Sequence, residues 1–353
     1  MAPRPTRRSD DIHGKNYAQC KALEANRRFI SHCSYEYRFE GRPRESPRGL
    51  LLAVVLLATG GCRTAMQPTS VPPSAIAPVR LAQTPRTERE LALPLAVWTE
   101  RRDLPEPLAV PVLSIDLQCS TLEVIAMPAD DPDGDGPAQA ALTDPRKLAT
   151  QFQALAAVNA NAFGALPDAD GNTDSRWRSG QPVVIEGVAV HGGLVRSGPA
   201  KHAANDPCFW LDAAHTPHFG PWPVDARDVR EAVNVWWGHL LDGGKVLPQP
   251  GGDRHPRTAL GVDATGSWLC LVVVDGRQPG HSVGMTAHEL ATLMAQLGCA
   301  RAINLDGGGS SILLAADATG TMAIINRPSG GSPRPIPLMI GVRRTSRAVP
   351  SNE

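Results

Sequence analysis

The sequence lacks an excess of charge of either sign, because 35 lysines and arginines balance 35 aspartates and glutamates. A chain without net charge lacks the long-range attraction that draws basic proteins to nucleic acid or to anionic membrane surfaces. The sequence also lacks a Cys-x-x-Cys pair and a His-Glu-x-x-His pair, the spacings typical of structural and catalytic zinc sites. We therefore expect no nucleic-acid partner and no zinc site of either kind.

Long apolar runs are lacking as well. Residues 49–61 (GLLLAVVLLATGG) are too few to span a bilayer as a helix, but they suit the apolar region of a secretory signal. Arg44 and Arg48 precede this run, and Cys62 follows it. The arrangement resembles a bacterial lipoprotein signal, which implies an exported protein, periplasmic or anchored at the outer membrane through a lipidated Cys62. An ordinary signal peptide cleaved nearby is the alternative.

Composition divides the chain into four segments. Residues 1–48 are a polar tail, explained by a misassigned start codon or by a cytoplasmic extension, and residues 49–62 are the signal. Residues 63–93 are rich in Pro, Ser, Thr and Ala, a composition that predicts a flexible tether. Residues 94–347 have the length of one large domain. Its cysteines allow three disulfide pairings, among which the sequence does not choose: Cys119, Cys208, Cys270 and Cys299.

Short runs rich in valine, isoleucine and leucine dominate the domain, and this pattern is typical of β-strands. Helical spacing of apolar residues predicts helices only at 145–157 and 286–297. In the second, Thr286 is placed to cap the N-terminus, with Glu289 three residues later. The pattern predicts an α+β fold, a single large mixed-sheet domain with few helices. The predicted strands are at 110–118, 121–128, 181–190, 268–276, 301–306 and 335–342.

The clearest chemical signal is a predicted strand–helix–strand unit in which each strand ends at an aspartate, Asp275 and Asp306. Carboxylates that follow neighbouring strands commonly line one cleft, so we expect these two to line the same cleft. The three glycines at 307–309 let the backbone approach a ligand and expose N–H groups to an anion. Ser310 and Ser311 add hydroxyl donors. The unit therefore predicts an anion-binding site.

Six motifs occur in a fixed order along the domain: NANAF at 159–163, RTALGVD at 257–263, DGR at 275–277, SVGMT at 282–286 with Glu289, NLDGGGSS at 304–311 and RPIP at 334–337. Together they resemble the phosphodiester glycosidase family, and the resemblance covers most of residues 150–345. The chain departs from the family pattern at Asn161 and Ala162, where glycine and an aromatic residue are usual. The last motif lacks the asparagine that closes it in the family.

The resemblance implies hydrolysis of a sugar-1-phosphodiester, of the N-acetylglucosamine-1-phosphodiester type, at the glycosidic C–O bond in an envelope or extracellular glycan. The products would be the sugar and a phosphomonoester. Because the departing phosphomonoester is a weak base, its oxygen needs little protonation as the C–O bond breaks. The reaction needs cations and N–H donors around the phosphate, and a carboxylate that serves the anomeric carbon or a water.

The resemblance also implies roles for individual residues. Arg257 and Arg277 would clamp the phosphate, because a guanidinium matches two of its oxygens. Asp306 is the first candidate for nucleophile or base and Asp275 the second; for Asp275, capping its turn or pairing with an arginine is the alternative. The implied substrate-binding positions, of which Thr286 is equally explained as a helix cap, are Asn161, Thr258, Gly276, Ser282, Gly284, Thr286, Asn304, Gly307, Gly308, Gly309, Ser310 and Ser311.

The chemistry requires no cofactor, but calcium has candidate ligands. The segment 131–136 (DPDGDG) begins like an EF-hand loop and has Leu142 where the bidentate glutamate is needed, so an EF-hand is not expected. A second alternation of oxygen-bearing side chains offers either a Ca²⁺ site or a solvated acidic loop: Asp168, Asp170, Asn172 and Asp174.

Histidines and tryptophans supply secondary candidates. His255 and His281 flank the motifs and could line the cleft. Trp222, Trp236 and Trp237 could stack on a sugar, although adjacent residues on a strand point to opposite faces.

Two other functions remain open. One is a non-catalytic envelope glycan-binding protein with the same fold, and the other is a phosphodiesterase that cleaves the P–O bond. The presence of both arginines and both aspartates favours an enzyme, since binding alone tolerates the loss of a carboxylate. A phosphodiesterase is disfavoured because the sequence offers no two-metal ligand set. Nothing in the sequence indicates an oligomeric state.

Overall fold

The computed structural model describes residues 94–103, 105–199, 207–222, 225–234 and 238–345. The predicted tail, signal, lipidated Cys62 and tether lie outside these residues, as do Trp236 and Trp237, and all of them stay predictions. Within the described ranges, no helix combines the length and the apolar character needed to cross a membrane.

Strands dominate the described residues, as the sequence predicts, and two α-helices accompany them. In chain order the strands are β1 Leu95–Arg102, β2 Leu108–Asp116, β3 Leu122–Pro128, β4 Ala140–Ala141, β5 Ala154–Asn159, β6 Phe163–Ala165, β7 Pro182–Ile185, β8 Ala189–His191, β9 Leu194–Ser197, β10 Cys208–Asp212, β11 Pro217–Gly220, β12 Val229–Val233, β13 His239–Asp242, β14 Lys245–Val246, β15 Arg257–Val262, β16 Trp268–Val274, β17 Arg301–Leu305, β18 Leu313–Ala316, β19 Met322–Ile324 and β20 Leu338–Arg344. The helices are α1 Pro145–Gln151 and α2 Ala287–Gln296.

These strands form four sheets. The largest has the order β1-β2-β16-β15-β17-β13-β14, two five-stranded sheets have the orders β11-β10-β12-β8-β9 and β19-β18-β5-β20-β3, and the smallest is β4-β7-β6. Every pairing among the described strands is antiparallel, so the expected mixture of parallel and antiparallel pairs is wrong. The reason is that many connections are hairpins, and the crossover through α2 leaves β16 and β17 parallel but separated by β15.

The seven-stranded sheet is buried on both faces, and β16 shows how. Leu271 and Val273 belong to the main core, which they share with residues of β3, β5 and β20. Val272 and Val274 point the other way, into a second apolar cluster that α2 covers. A strand buried on both faces needs no polar alternation, which explains why this segment is continuously apolar.

The predicted helix at 145–157 is shorter in the structure. Asp144 caps α1 by accepting a hydrogen bond from the Arg146 N–H at 2.9 Å, and Gln153 then adopts a φ of 55°, which ends the helical path. β5 begins at once, and its small side chains fit between β18 and β20. Leu155 continues the helical spacing of apolar residues, but pairing with these two strands places it in β5 instead.

The predicted helix at 286–297 is confirmed as α2. The Thr286 hydroxyl accepts from the Glu289 N–H at 3.1 Å, and the Glu289 carboxylate accepts from the Thr286 N–H at 2.9 Å. This reciprocal capping box satisfies two of the N–H groups that a helix start leaves unpaired. Gly298, with a φ of 89°, follows the end of the helix, as expected.

The four cysteines of the domain are free thiols, so none of the three disulfide pairings is present. A hydrogen bond with Cys270, together with burial, raises the pKa of the Cys299 thiol. Burial also raises the pKa of the Cys208 thiol. These side chains therefore act as apolar filling of the core.

Candidate active site

Three strands of the large sheet bring the candidate residues to one edge. β15 begins with Arg257, which pairs with Val274 at the end of β16, and Thr258 pairs with Leu305 at the end of β17. The aspartates that follow β16 and β17 therefore lie on either side of the start of β15, at one edge of the sheet. The turn at 263–267, which joins β15 to β16, lies at the opposite end of these strands.

A cavity of about 400 Å³ opens at this edge. Its lining contains one carboxylate and three guanidinium groups, so positive charge is in excess. The lining residues are His255, Pro256, Arg257, Arg277, Asn304, Asp306, Gly307, Gly308, Gly309 and Arg334.

Asp306 is the carboxylate of the cavity. Its N–H donates to the Ala160 carbonyl at 2.9 Å, its own carbonyl accepts from Asn159 Nδ2 at 2.6 Å, and its Oδ1 accepts from the Gly307 N–H at 2.9 Å. Burial raises the pKa of Asp306 to about 6, against the opposing effects of a hydrogen bond from Ser310 and the charge of Arg334. The carboxyl group therefore changes charge close to neutral pH, as suits a group that exchanges protons or attacks a carbon.

The three arginines are held in place by separate contacts. Arg257 Nε donates to the Met285 carbonyl at 3.0 Å, Arg277 Nη2 lies 3.4 Å from His255 Nδ1, and Arg334 Nη1 donates to Ser310 Oγ at 3.4 Å. Burial and the charge of Arg277 lower the pKa of both Arg257 and Arg334, although Asp306 partly offsets this for Arg334. Like charges gathered in this way are unfavourable until an anion joins them.

The glycines after Asp306 are required by this packing. A side chain at Gly307 would place its Cβ 2.7 Å from the Pro256 carbonyl oxygen, and one at Gly309 would collide with the guanidinium of Arg334. Between them, Gly308 has a φ of 61°, a conformation that only glycine adopts without strain. The loop can therefore lie directly against the arginines and Pro256.

Asp275 is placed differently from the sequence-based expectation of a catalytic group. Its side chain is only 3% exposed and is not part of the cavity lining. One carboxylate oxygen accepts from His281 Nε2 at 2.8 Å and the other from Asn326 Nδ2 at 3.0 Å, and the Arg327 N–H lies 3.0 Å from both. Asp275 thus ties the loop that carries Arg277 to residues 326–327, and it positions that arginine.

We expect Asp275→Asn to act on stability more than on chemistry. An amide keeps one acceptor but turns an N–H group toward His281, which should cost about 1–3 kcal/mol of unfolding free energy. The checks are the melting temperature and kcat, with a loss of kcat of less than about tenfold expected. A loss of three orders of magnitude at an unchanged melting temperature would instead place Asp275 at the reacting atoms.

Three predicted substrate-binding side chains make hydrogen bonds to framework groups. Asn161 Nδ2 donates to the carbonyls of Glu186 and Val188, both at 2.9 Å. Thr258 Oγ1 donates to Asn159 Oδ1 at 2.8 Å, and Ser282 Oγ donates to the Asp275 carbonyl at 2.6 Å. All three side chains are buried and lie outside the cavity lining, so these contacts do not support their assignment to the substrate, which stays a prediction.

Gly276, Gly284 and Thr286 also serve the framework rather than the cavity lining. A Cβ at Gly276 would lie 2.6 Å from the Pro256 nitrogen, and one at Gly284 would lie 2.5 Å from the His255 carbonyl oxygen. Both glycines allow the chain around His255 to pack closely. Thr286 is occupied as the cap of α2.

Ser310 and Ser311 differ in their contacts. Ser310 is buried, but its hydroxyl bonds to Arg334 and to Asp306, so it supports two groups of the cavity. Ser311 is buried as well, lies outside the lining, and has an Oγ without a hydrogen-bond partner.

The candidate calcium ligands are not gathered around one point. Asp168 Oδ1 accepts from the N–H groups of Asp170 and Asn172, and Asp174 pairs with Arg176 and Arg178. In the part of the chain that the structure describes, no group of three or more acidic, histidine or cysteine side chains could hold a metal ion. The contacts of this loop are hydrogen bonds and ion pairs among its own residues, and the calcium site stays a prediction.

Arg334 is the functional candidate that the sequence reasoning missed. It lies 28 positions after Asp306, in an irregular segment, and only the resemblance of 334–337 to the family marked it. His255, named only as a flanking residue, lines the cavity too. Burial and the charges of Arg277 and Arg257 lower the pKa of His255, which favours the neutral ring.

Comparison with known proteins places this site in a family context. A family model described as phosphodiester glycosidase matches residues 152–343. A SPbeta prophage-derived uncharacterized protein of Bacillus subtilis is 37% identical over 93 residues, and the match spans 26% of this chain but only 12% of that protein.

Two solved structures are similar at low sequence identity. One is the catalytic domain of zebrafish N-acetylglucosamine-1-phosphodiester alpha-N-acetylglucosaminidase auto-inhibited by its pro-peptide, with a TM-score of 0.49, 18% identity and coverage of 71% of this chain and 83% of that one. The other is a hypothetical protein from Synechocystis, with a TM-score of 0.48, 16% identity and coverage of 71% and 64%.

Proposed function

The chain belongs to the phosphodiester glycosidase family, and from this premise we propose that it hydrolyses a sugar-1-phosphodiester, of the N-acetylglucosamine-1-phosphodiester type, at the glycosidic C–O bond. The observation that carries the proposal is the cavity in which Asp306 faces Arg257, Arg277 and Arg334. The substrate would be an envelope or extracellular glycan, and the products would be a free sugar and a phosphomonoester.

The excess of positive charge fits this bond cleavage. A phosphodiester carries one negative charge, and C–O cleavage leaves the departing phosphate with a second one. Three guanidinium groups therefore bind the transition state and the product more strongly than the substrate, and such differential binding accelerates the reaction. Because the loop at 307–309 lies directly against Arg277 and Arg334, its backbone can also approach the phosphate.

Asp306 supplies the negative group for the sugar side. Its carboxylate serves the anomeric carbon as nucleophile, or removes a proton from an attacking water as base. A pKa of about 6 leaves it ionised for either role at pH 7 and above. The leaving phosphate is a weak base, so the reaction does not require a strong general acid beside it.

The proposal includes the predicted export and membrane attachment of the domain. A lipidated Cys62 would hold the exported domain at the membrane, with residues 63–93 as its tether. The chemistry outlined above requires no cofactor.

Incubation in ¹⁸O-water tests which bond is cut. The full chain, which contains the domain at 94–347, would be incubated with an N-acetylglucosamine-1-phosphodiester. The products would be analysed by mass spectrometry. We expect the label in the sugar, because water oxygen ends on the carbon that is attacked. Label in the phosphate would contradict the proposal and support a phosphodiesterase, and binding without turnover would support a glycan-binding protein.

A further inference from the structure

Asn304 is a buried amide with an unused acceptor. It lies in β17 at the register partner of Ala259, and its side chain is 2% exposed yet lines the cavity. Its Oδ1 atom has no hydrogen-bond partner. A buried carbonyl oxygen without a donor is unfavourable, and because Asn304 also lines the cavity, a bound ligand is placed to supply the donor.

The neighbours of Asn304 do not supply the missing donor, and they indicate what would. Arg257, Arg277 and Arg334 are held by other contacts and line the same cavity, where they would bind the phosphate of the proposed substrate. The donor for Asn304 Oδ1 would therefore be an uncharged N–H or O–H group of the same ligand, close to the phosphate but not part of it.

The spacing along the chain locates this donor. Asn304 and Asp306 are two residues apart at the end of β17, so their side chains project on the same side, about 7 Å apart at the backbone. If Asp306 serves the anomeric carbon, Asn304 is within reach of the substituent on the neighbouring ring carbon.

We propose that Asn304 Oδ1 accepts a hydrogen bond from the substituent at carbon 2 of the sugar, an amide N–H or a hydroxyl, and so makes the enzyme select against 2-deoxy sugars. The proposal rests on the proposed function of the cavity. A site built to hydrogen-bond a polar group rejects an analogue that lacks it, because the buried partner is then left unpaired. Such a bond also strengthens as charge develops at the anomeric carbon.

The test compares three 4-nitrophenyl phosphodiesters, those of N-acetylglucosamine, glucose and 2-deoxyglucose, with sugar release measured by chromatography. Wild type, Asn304→Ala and the control Asn234→Ala would be assayed on each. Asn234 is a suitable control because its Oδ1 is also buried and unpaired but lies outside the cavity lining.

We expect Asn304→Ala to lower kcat/KM by about 100-fold on the better of the two sugars with a donor at carbon 2, and by less than about threefold on the 2-deoxy sugar. Asn234→Ala should leave the ratio between these substrates unchanged. Equal losses on all three substrates, or the same ratio change in the control, would overturn the proposal.

The rates of sugar release distinguish failure of the Asn304 proposal from failure of the proposed glycosidase function. Release of sugar from the glucose and 2-deoxyglucose diesters at rates that Asn304→Ala lowers equally would reject the role of Asn304 and leave the glycosidase assignment intact. Failure to release any sugar would reject both. Partial loss of folded protein lowers the rates of a variant on all three substrates by the same factor, so the ratio between substrates within that variant stays interpretable.

Discussion

Asp306→Asn is expected to lower kcat/KM by about 10⁴-fold or more, because the variant removes the only carboxylate of the described cavity lining while keeping its shape. The amide oxygen can still accept from the Gly307 N–H, so the loop should keep its conformation. The check is sugar release from an N-acetylglucosamine-1-phosphodiester at saturating and limiting substrate. Asp242→Asn, an exposed carboxylate on β13, is the matched control and should leave turnover unchanged.

The same variant makes a prediction about pH. Because burial raises the pKa of Asp306 to about 6, the folded state binds a proton here more tightly than the unfolded state does. The stability that this group contributes is therefore lost as the pH rises from the ordinary aspartate pKa to about 6. Asparagine has no such transition. The melting temperature of Asp306→Asn minus that of wild type should therefore increase between pH 5 and pH 7.

The activity of the wild-type enzyme should follow the ionised carboxylate. We expect kcat/KM to rise with pH, with an acid limb at about pH 6 that is absent from any residual activity of the variant. Wild-type rates in Asp306→Asn would show that the reaction runs without this carboxylate.

Arg334→Met is expected to give the second-largest loss, about 10²- to 10³-fold in kcat/KM, because one of the cations that stabilise the leaving phosphate disappears. Affinity for a phosphomonoester product should fall with it. Since the charge of Arg334 lowers the pKa of Asp306, the acid limb of the pH profile should move to higher pH in this variant.

A change at an exposed arginine separates this local effect from a general loss of charge. Arg344→Met, at the end of β20, is the control and should leave kcat/KM and the pH profile as in wild type. An Arg334→Met enzyme with an unshifted profile and normal product affinity would show that Arg334 does not act at the phosphate.

The sequence was sufficient to predict the strand-rich domain, the capped helix α2 and the meeting of the two aspartate-bearing strands at one edge. These features follow from local patterns: apolar runs, a Thr-x-x-Glu cap and the chain order of β16, α2 and β17. The helix predicted at 145–157 failed in its second half, because the choice between helix and strand there depends on pairing with β18 and β20, which come more than 150 residues later.

The candidate site was predicted in outline and not in detail. Motif letters do not show which way a side chain points, and so Thr258 and Ser282 were assigned to the substrate although each bonds to the framework. Asp275 followed the same logic, since an aspartate that ends a strand can face either a cavity or a neighbouring loop. Arg334 reaches the cavity through the glycine loop, a contact between irregular segments that leaves no periodic signal in the sequence.

The position of the turn at 263–267 has a consequence for protein engineering and for evolution. Asp263 accepts from the N–H groups of Ser267 and Trp268, and the Ser267 carbonyl accepts from the Leu117 N–H. β15, with its six residues, places this turn about 20 Å from Arg257. Extra residues, an affinity tag or even a second domain inserted at this turn would lengthen the molecule away from its reactive end. A homologue could therefore acquire an insertion at this turn without a change in the residues that line the cavity.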